Sequence, residues 1–406
     1  MNQSLNANFD FLFYYQCALA VAAILTFFTD INSYLYTSGI VSQPPLYWII
    51  GFAVASIPLA FSRYKYIPIS VIIWCFGFIF VSLLWFVLFP SSGELAFEEL
   101  RKRLLALIFI IAMTLIFSGN QTIHYLARWA IFLAVLITVF NSIYEFFNPA
   151  AFNALGNGGR VTGFYLNPNS NGCALILGMI FSVSILQPIY RLPFVYLVGI
   201  GVLLTFSRGA ILGWLITVII FTIAGVLHFN KLLYWIFGIG IFIITLGSQW
   251  WQELLQNLDL NANSLERIAW FQNISTSDSE NSADSRLEVA QLAWQMFMKH
   301  PFFGNGIGST LTWNLEISTH NIYLYYMADH GIIGALILPI LVYAVTQHAR
   351  GETRYIGLAF AVFILLWGLF SHNVLEERYI LITFSLMAAM TGASRLERKL
   401  KLRYQL

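Results

Sequence analysis

Long apolar runs separated by short polar breaks make up most of this chain. A helix needs about 20 apolar residues to cross the hydrocarbon core of a bilayer. By that measure the pattern predicts spans at about 9–29, 46–62, 67–89, 104–118, 122–146, 171–188, 192–207, 209–228, 232–248, 320–347, 354–371 and 375–393. Between the seventh and eighth of these, Arg208 interrupts a nearly continuous apolar run. One polar interval is long, about 249–319, and ends in a stretch with helical spacing. The next longest, 147–170, carries Asn-Pro and Gly-Asn-Gly-Gly turn signals. No internal repeat is visible. The chain therefore reads as an all-α polytopic membrane protein of about 12 transmembrane helices: nine over 1–248, a large extracytoplasmic loop over 249–319, and three more with a basic cytoplasmic tail over 320–406.

Composition agrees. Of the 406 residues 59% are hydrophobic and 10% charged, where a soluble domain has about a quarter charged. The mean hydropathy is +0.73, so most of the surface faces lipid. A formal net charge of +2 gives no field that would attract nucleic acid. Cys17, Cys75 and Cys173 each fall inside an apolar run and read as small buried hydrophobes. The first apolar run has no basic n-region or A-x-A site, so it reads as a retained helix.

Lys and Arg in the short loops set the orientation. With the N-terminus in the cytoplasm, the cytoplasmic loops hold Arg63, Lys65, Arg191, Lys231, Arg350 and Arg354, and the tail adds five more basic residues. The cluster Arg101-Lys102-Arg103 is the one violation, and it has Glu94, Glu98 and Glu99 close by. In this orientation Arg160, Arg208, Arg286, His320, His372, Glu376 and Glu377 all fall on the outer side.

Several of these residues are candidates for chemistry. An arginine at an apolar helix end costs a few kcal/mol unless it snorkels or is paired. Arg208 in LLTFSRGAILGW is therefore either a snorkelling interfacial side chain or an anion clamp at the mouth of a cavity. Ser285 and Glu288 fit a capping box, which puts Arg286 in the first turn of an amphipathic helix. A cation there opposes the helix dipole, while a helix N-terminus is a natural anion site; a solvated surface arginine is the competing account. Arg160 and Asn169 lie in a Gly- and Asn-rich loop rich in hydrogen-bonding groups. His320 stands where the large loop re-enters the membrane, with Asn321 and Tyr323 beside it, and histidine is the usual proton acceptor at neutral pH. A purely structural interfacial histidine remains open. HNVLEE over 372–377 supplies His372 with two carboxylates. The histidines are dispersed and show no zinc-type spacing, so neither a metal site nor a cofactor is expected. PFFGNGIGS, 301–309, has no strand before it and reads as a turn rather than a dinucleotide fingerprint.

Taken in order, R-x-x-G-x-x-x-N-P-N (Arg160 to Asn169), T-x-S-R-G (Thr205 to Gly209), a long loop with R…W…PFFGNGIG (Arg286 to Gly308) and H-N-x-Y-L…G-x-x-G (His320 to Gly334) resemble the O-antigen ligase and Wzy-type polymerase superfamily. The resemblance covers about 160 to 335. It implies a GT-C-like fold and a metal-independent, inverting glycosyl transfer at the outer face of the bacterial inner membrane. The implied donor is an undecaprenyl-diphosphate-linked glycan. The acceptor hydroxyl belongs to a lipid A-core sugar, another glycan or a protein side chain. By the same resemblance Arg208 and Arg286 hold the diphosphate and His320 serves the acceptor, with Arg160, Asn169, Asn321, Tyr323 and His372 binding substrate. The loop is short for that superfamily. A multi-pass small-solute or ion transporter is the rival reading, but transporter sites lie near the midplane of repeated halves. Neither a repeat nor a strong mid-span charge is apparent.

Overall fold

The computed structural model describes residues 2–89, 93–148, 151–152, 160–228, 230, 279–313 and 319–403, the side chains of 2–10, 279–286 and 394–403 excepted. Among the described residues there is no strand. Among the same residues six helical stretches are long and apolar enough to cross a membrane, and three shorter apolar helices accompany them. The protein is an α-helical polytopic membrane protein. The ninth expected span, 232–248, and most of the loop that follows it lie outside the described residues.

Contacts divide the chain into two units, Met1–Ala130 with Asp278–Leu406, and Ile131–Ser277. The first contains α1 (Asn2–Ala23), α2 (Ile31–Thr37), α3 (Pro45–Arg63), α4 (Ile69–Leu88) and α5 (Gly93–Phe117). Helix α6 (Gln121–Phe147) begins in it. The second contains α7 (Pro168–Ser182), α8 (Pro188–Leu204) and α9 (Arg208–Ile223). The chain returns to the first through α10 (Ser279–Lys299), α11 (Ile322–His330), α12 (Ile337–Thr346), α13 (Glu352–Trp367) and α14 (Arg378–Arg403).

Local chemistry sets many of the helix starts. Pro45, Pro168 and Pro188 each occupy the first helical position, where a missing N–H costs nothing. Asn167, Ser207 and Asn321 cap α7, α9 and α11 with side-chain oxygens. The break expected near Arg208 falls at Thr205–Ser207, where Phe206 has a left-handed φ of 51°. The expected span 320–347 is not one regular helix: α11 and α12 are joined by a 3-10 stretch, Gly331–Leu336. A Cβ on Gly331 would come 2.5 Å from the Phe302 backbone, so glycine is required where that crossing packs on the 301–304 turn. One further expectation is overturned. Helix α10 runs from Ser279, so Ser285 does not start it and Arg286 lies about two turns inside, away from the free amides of its first turn.

In the first unit α5 packs along α14, α3 and α4, α12 packs on α4, α13 and α14, and α10 packs on α11. At one end Arg63 donates to Gln16 at 3.1 Å and Ser70 to the carbonyl of Ala344 at 2.8 Å. At the other, Arg378 reaches Ser33 at 2.6 Å and Tyr325 reaches Glu99 at 2.5 Å. In the second unit α7 is almost wholly buried and packs on both α8 and α9.

Candidate functional site

Within the first unit, His320 lies two residues ahead of α11. Its backbone is left-handed, with φ 47°, a conformation uncommon outside glycine and costing about 1–3 kcal/mol. The residues after it hold it there. Asn321 accepts from the amides of Tyr323 and Leu324 at 3.0 and 3.1 Å, and Ile322 N–H donates to Gly368 at 2.9 Å. Asn321 therefore commits its carboxamide oxygen to the helix cap. Tyr323 donates its hydroxyl to the Leu365 carbonyl at 2.8 Å, pinning α11 to α13. Both residues sit beside His320, and both have a structural task.

The His372 ring stands edge-on to His320, centroids 6.0 Å apart, and 5.9 Å from the Tyr325 ring. Burial, and then the charge of His320, push His372 down to about 4, so it is neutral at physiological pH. Behind it lies a charged network. Tyr325 donates to Glu99 at 2.5 Å, and Lys102 donates to the other Glu99 oxygen at 2.6 Å. Lys102 also lies 3.8 Å from Glu376. Burial alone would raise the Glu99 carboxyl, but hydrogen bonds from Lys102 and Tyr325 outweigh it and hold the group below its usual range. Burial would likewise lower Lys102, but Glu376 and Glu99 outweigh it and raise the ammonium. Glu99 and Lys102 are thus both charged at neutral pH.

Deeper in the same unit, Arg103 donates to Asp329 at 2.7 Å and stacks over Tyr326 at 5.0 Å. Its other terminal nitrogen is 2.6 Å from His330 Nε2. A guanidinium only donates, so Nε2 accepts and the ring proton sits on Nδ1. Asp329 also accepts from the Gly308 and Ser309 amides and the Ser309 hydroxyl, at 3.2, 3.1 and 2.9 Å. The glycine-rich 301–309 segment is accordingly a turn clasped by a buried carboxylate. Asp329 and Arg103 are 0% and 4% exposed. Removing one member of a buried pair strands the other charge, at about 3–5 kcal/mol. Asp329→Ala is expected to destabilise the protein by that order, read as a large drop in thermal midpoint in detergent. A midpoint close to wild type would show that the pair does not hold the turn.

These residues were not singled out from the sequence, although a signal was present. The one violation of the charge rule, Arg101-Lys102-Arg103, is this network: Arg101 lies 3.7 Å from Glu98, Lys102 pairs with Glu99, and Arg103 with Asp329. Asp329 and His330 lie inside the apolar stretch Ile322–Thr346, toward its first third, and are fully buried.

Within the second unit, two of the sequence motifs meet. Arg160 donates from Nε to the Thr205 carbonyl at 2.9 Å and from Nη2 to Asn169 at 2.8 Å. Glu145 accepts from the Thr162 and Gly163 amides, both at 2.7 Å. A Cβ on Gly172 would lie 2.6 Å from the Ala210 Cβ, so α7 and the start of α9 are in close contact. Arg160 thus ties the 160–169 loop to the Thr205–Ser207 turn that presents Arg208. Arg208 is exposed and is the first residue of α9, at the positive end of the helix dipole. The side chain of Arg286 lies outside the described residues. Among the described residues no group of three or more His, Cys, Asp or Glu side chains is arranged to hold a metal ion.

Fold and sites together define a polytopic membrane protein with an exposed arginine at a helix start and a strained histidine at a helix head. Residues 193–339 match the family model described as O-antigen ligase. This segment includes Arg208, Arg286, His320, Asn321 and Tyr323, and leaves out Arg160, Asn169 and His372. No curated protein matches the chain. The match is confined to that segment, a little over a third of the chain.

Proposed function

We propose that the protein transfers a glycan from a polyprenyl-diphosphate-linked donor, of the undecaprenyl type, to an acceptor hydroxyl at the outer face of the inner membrane, with inversion and without a metal. The observation that carries this is the setting of His320. Its backbone is left-handed, its neighbour His372 is neutral, and the 193–339 match includes it. Strain kept at the head of a helix next to fixed charges is characteristic of a working residue. In this reading His320 Nε2 or Nδ1 takes the acceptor proton as the hydroxyl oxygen bonds to the anomeric carbon. The anomeric carbon–oxygen bond breaks on the opposite side, and the diphosphate leaves with the electron pair. Charge develops on that diphosphate, and Arg208 and Arg286 stabilise it there, each able to form two parallel hydrogen bonds. The linkage to diphosphate already activates the sugar, so no nucleotide is required. The polyprenyl chain stays in lipid, which keeps the reaction near the interface. The excess of Lys and Arg in the loops opposite His320 supports an outward-facing site.

The test is deletion of the gene followed by analysis of surface glycans. The reading requires a change in a surface polysaccharide or glycoprotein together with accumulation of its lipid-linked precursor. Accumulated full-length precursor identifies a ligase, a single-unit product a polymerase, and altered glycoprotein mass with intact polysaccharide a protein-glycosylating transferase. Surface glycans and lipid-linked precursors that all match the parent strain would refute it.

A further inference from the structure

Helix α10 is not among the stretches apolar enough to cross a membrane, yet one of its flanks is apolar and uncovered. Val289, Ala293 and Phe297 recur at four-residue spacing, are buried, and form its inner face. The two flanks of that face differ. On one side Glu288, Gln295 and Lys299 are exposed. On the other, Leu287, Trp294 and Met298 stand at i, i+7 and i+11, with the exposed Gln291 between them. These three apolar side chains are 58%, 49% and 56% exposed. A helix standing free in water has no use for such a row.

The turn after α10 sets its depth. Trp85, in the last turn of the membrane-spanning α4, donates its indole N–H to the Phe303 carbonyl. The Phe303 ring stacks on Phe89, the residue that ends α4, with centroids 6.1 Å apart. The 302–303 pair is therefore level with the end of a span, where hydrocarbon gives way to headgroups. Phe302 and Phe303 are 71% and 59% exposed, and Lys299 and His300 share a cavity of about 580 Å³ with them. Aromatic rings beside cations suit that interfacial belt. Eleven residues separate Leu287 from Met298, about 16 Å along a helix. The interfacial zone on one side of a bilayer is only about 5–7 Å thick. A row of that length meets lipid from end to end only when the helix lies along the surface rather than across it.

We propose that α10 is an in-plane helix seated in the headgroup zone of the bilayer. The Leu287–Trp294–Met298 row and the Phe302–Phe303 pair face lipid, and the Glu288–Gln295–Lys299 row faces water. The partner is the lipid surface itself. The anchoring does not depend on the transfer reading. Under that reading it also keeps the long loop at the depth of a lipid-borne substrate.

The experiment uses the full-length protein in vesicles of phosphatidylethanolamine and phosphatidylglycerol. In a background with Cys17, Cys75 and Cys173 replaced by alanine, a nitroxide is attached at Met298→Cys, Phe302→Cys or Gln295→Cys. Its relaxation by oxygen, which concentrates in lipid, is compared with its relaxation by a water-soluble nickel chelate. Oxygen is expected to dominate at 298 and 302, and the chelate at 295. A second measurement leaves the native cysteines in place. The fluorescence lost in Trp294→Phe is the contribution of Trp294, and lipids brominated near the headgroup end of the chain should quench it more than lipids brominated near the chain end. Dominance of the chelate at 298 and 302 would show a helix held in water and overturn the proposal. Shielding from both agents would show that protein covers the row, whether a second copy or another segment of this chain, and overturns it equally. So does Trp294 emission that brominated lipid leaves untouched. None of these measurements involves transfer, so failure of the anchor and failure of the transfer mechanism are read separately.

Discussion

His320→Ala is expected to lose turnover by about 10²–10⁴-fold, the usual contribution of a general base, while binding the lipid-linked donor as wild type does. The split follows from what the side chain does. It meets the acceptor hydroxyl in the transition state and holds neither the diphosphate nor the prenyl chain. The Asn321 cap and the Ile322–Gly368 hydrogen bond remain in the variant, so the protein should stay folded. A base works in its neutral form, so wild-type activity should fall as pH drops through the histidine range, about pH 8 to 5. His372 stays neutral down to about 4, and Glu99, held below its usual range, stays ionised, so neither of these accounts for that fall. The measurement is transfer by purified protein from lipid-linked donor to acceptor across about pH 5–9, with and without EDTA. Normal turnover in the alanine variant, or abolition by EDTA, would remove His320 as base or require a metal in the mechanism.

Arg208→Ala should cost about 10²–10³-fold in kcat, the scale seen when one preorganised donor to a developing charge is lost. Arg286→Ala should fall in the same range. Lysine at either position should restore only part, because a point charge lacks the planar fork that matches phosphate. Of the two, Arg208 has the stronger structural basis: it is exposed at the first position of α9, with the helix amides beside it. For Arg286 the helix-start argument no longer applies, and its role rests on the motif resemblance alone. Arg160→Ala should act differently, since Arg160 spends its guanidinium on Thr205 and Asn169. Its loss loosens the turn that presents Arg208, so a milder defect is expected, and Arg160→Lys should recover little because it cannot bridge both partners. Full activity in both Arg208→Ala and Arg286→Ala would exclude the clamp.

Sequence and structure contributed different parts. The class of protein and six of the spans were legible because lipid imposes a local rule: every backbone group must be satisfied within the helix, so long apolar runs read directly as spans. Helix starts were legible where a proline or a capping side chain marks them, as at Pro168, Ser207 and Asn321. The Ser285 start failed because a capping pattern is only permissive, and the chain ahead of it continues the helix from Ser279. His320 and His372, 52 positions apart, were both marked as candidates, but their contact was not legible. The charged network around them was legible only in part: Glu98 and Glu99 were marked as lying close to Arg101-Lys102-Arg103, and they pair with Arg101 and Lys102. The partners of Lys102 and Arg103 include Glu376 and Asp329, more than 220 residues away in sequence. Asp329 itself looked like a lone acid in an apolar run. Whether a charge in such a run is a penalty or a clasp depends on what lies opposite it, and long-range pairing is set by helix packing, which no local pattern encodes. Residue types and spacing alone therefore determined that this is a membrane protein with an arginine and histidine repertoire suited to a phosphate-linked substrate. Tertiary structure alone decided that the Arg103–Asp329 pair and the Glu99–Lys102–Glu376 network stand behind His320, because only packing brings α5, α11 and the turn before α14 together.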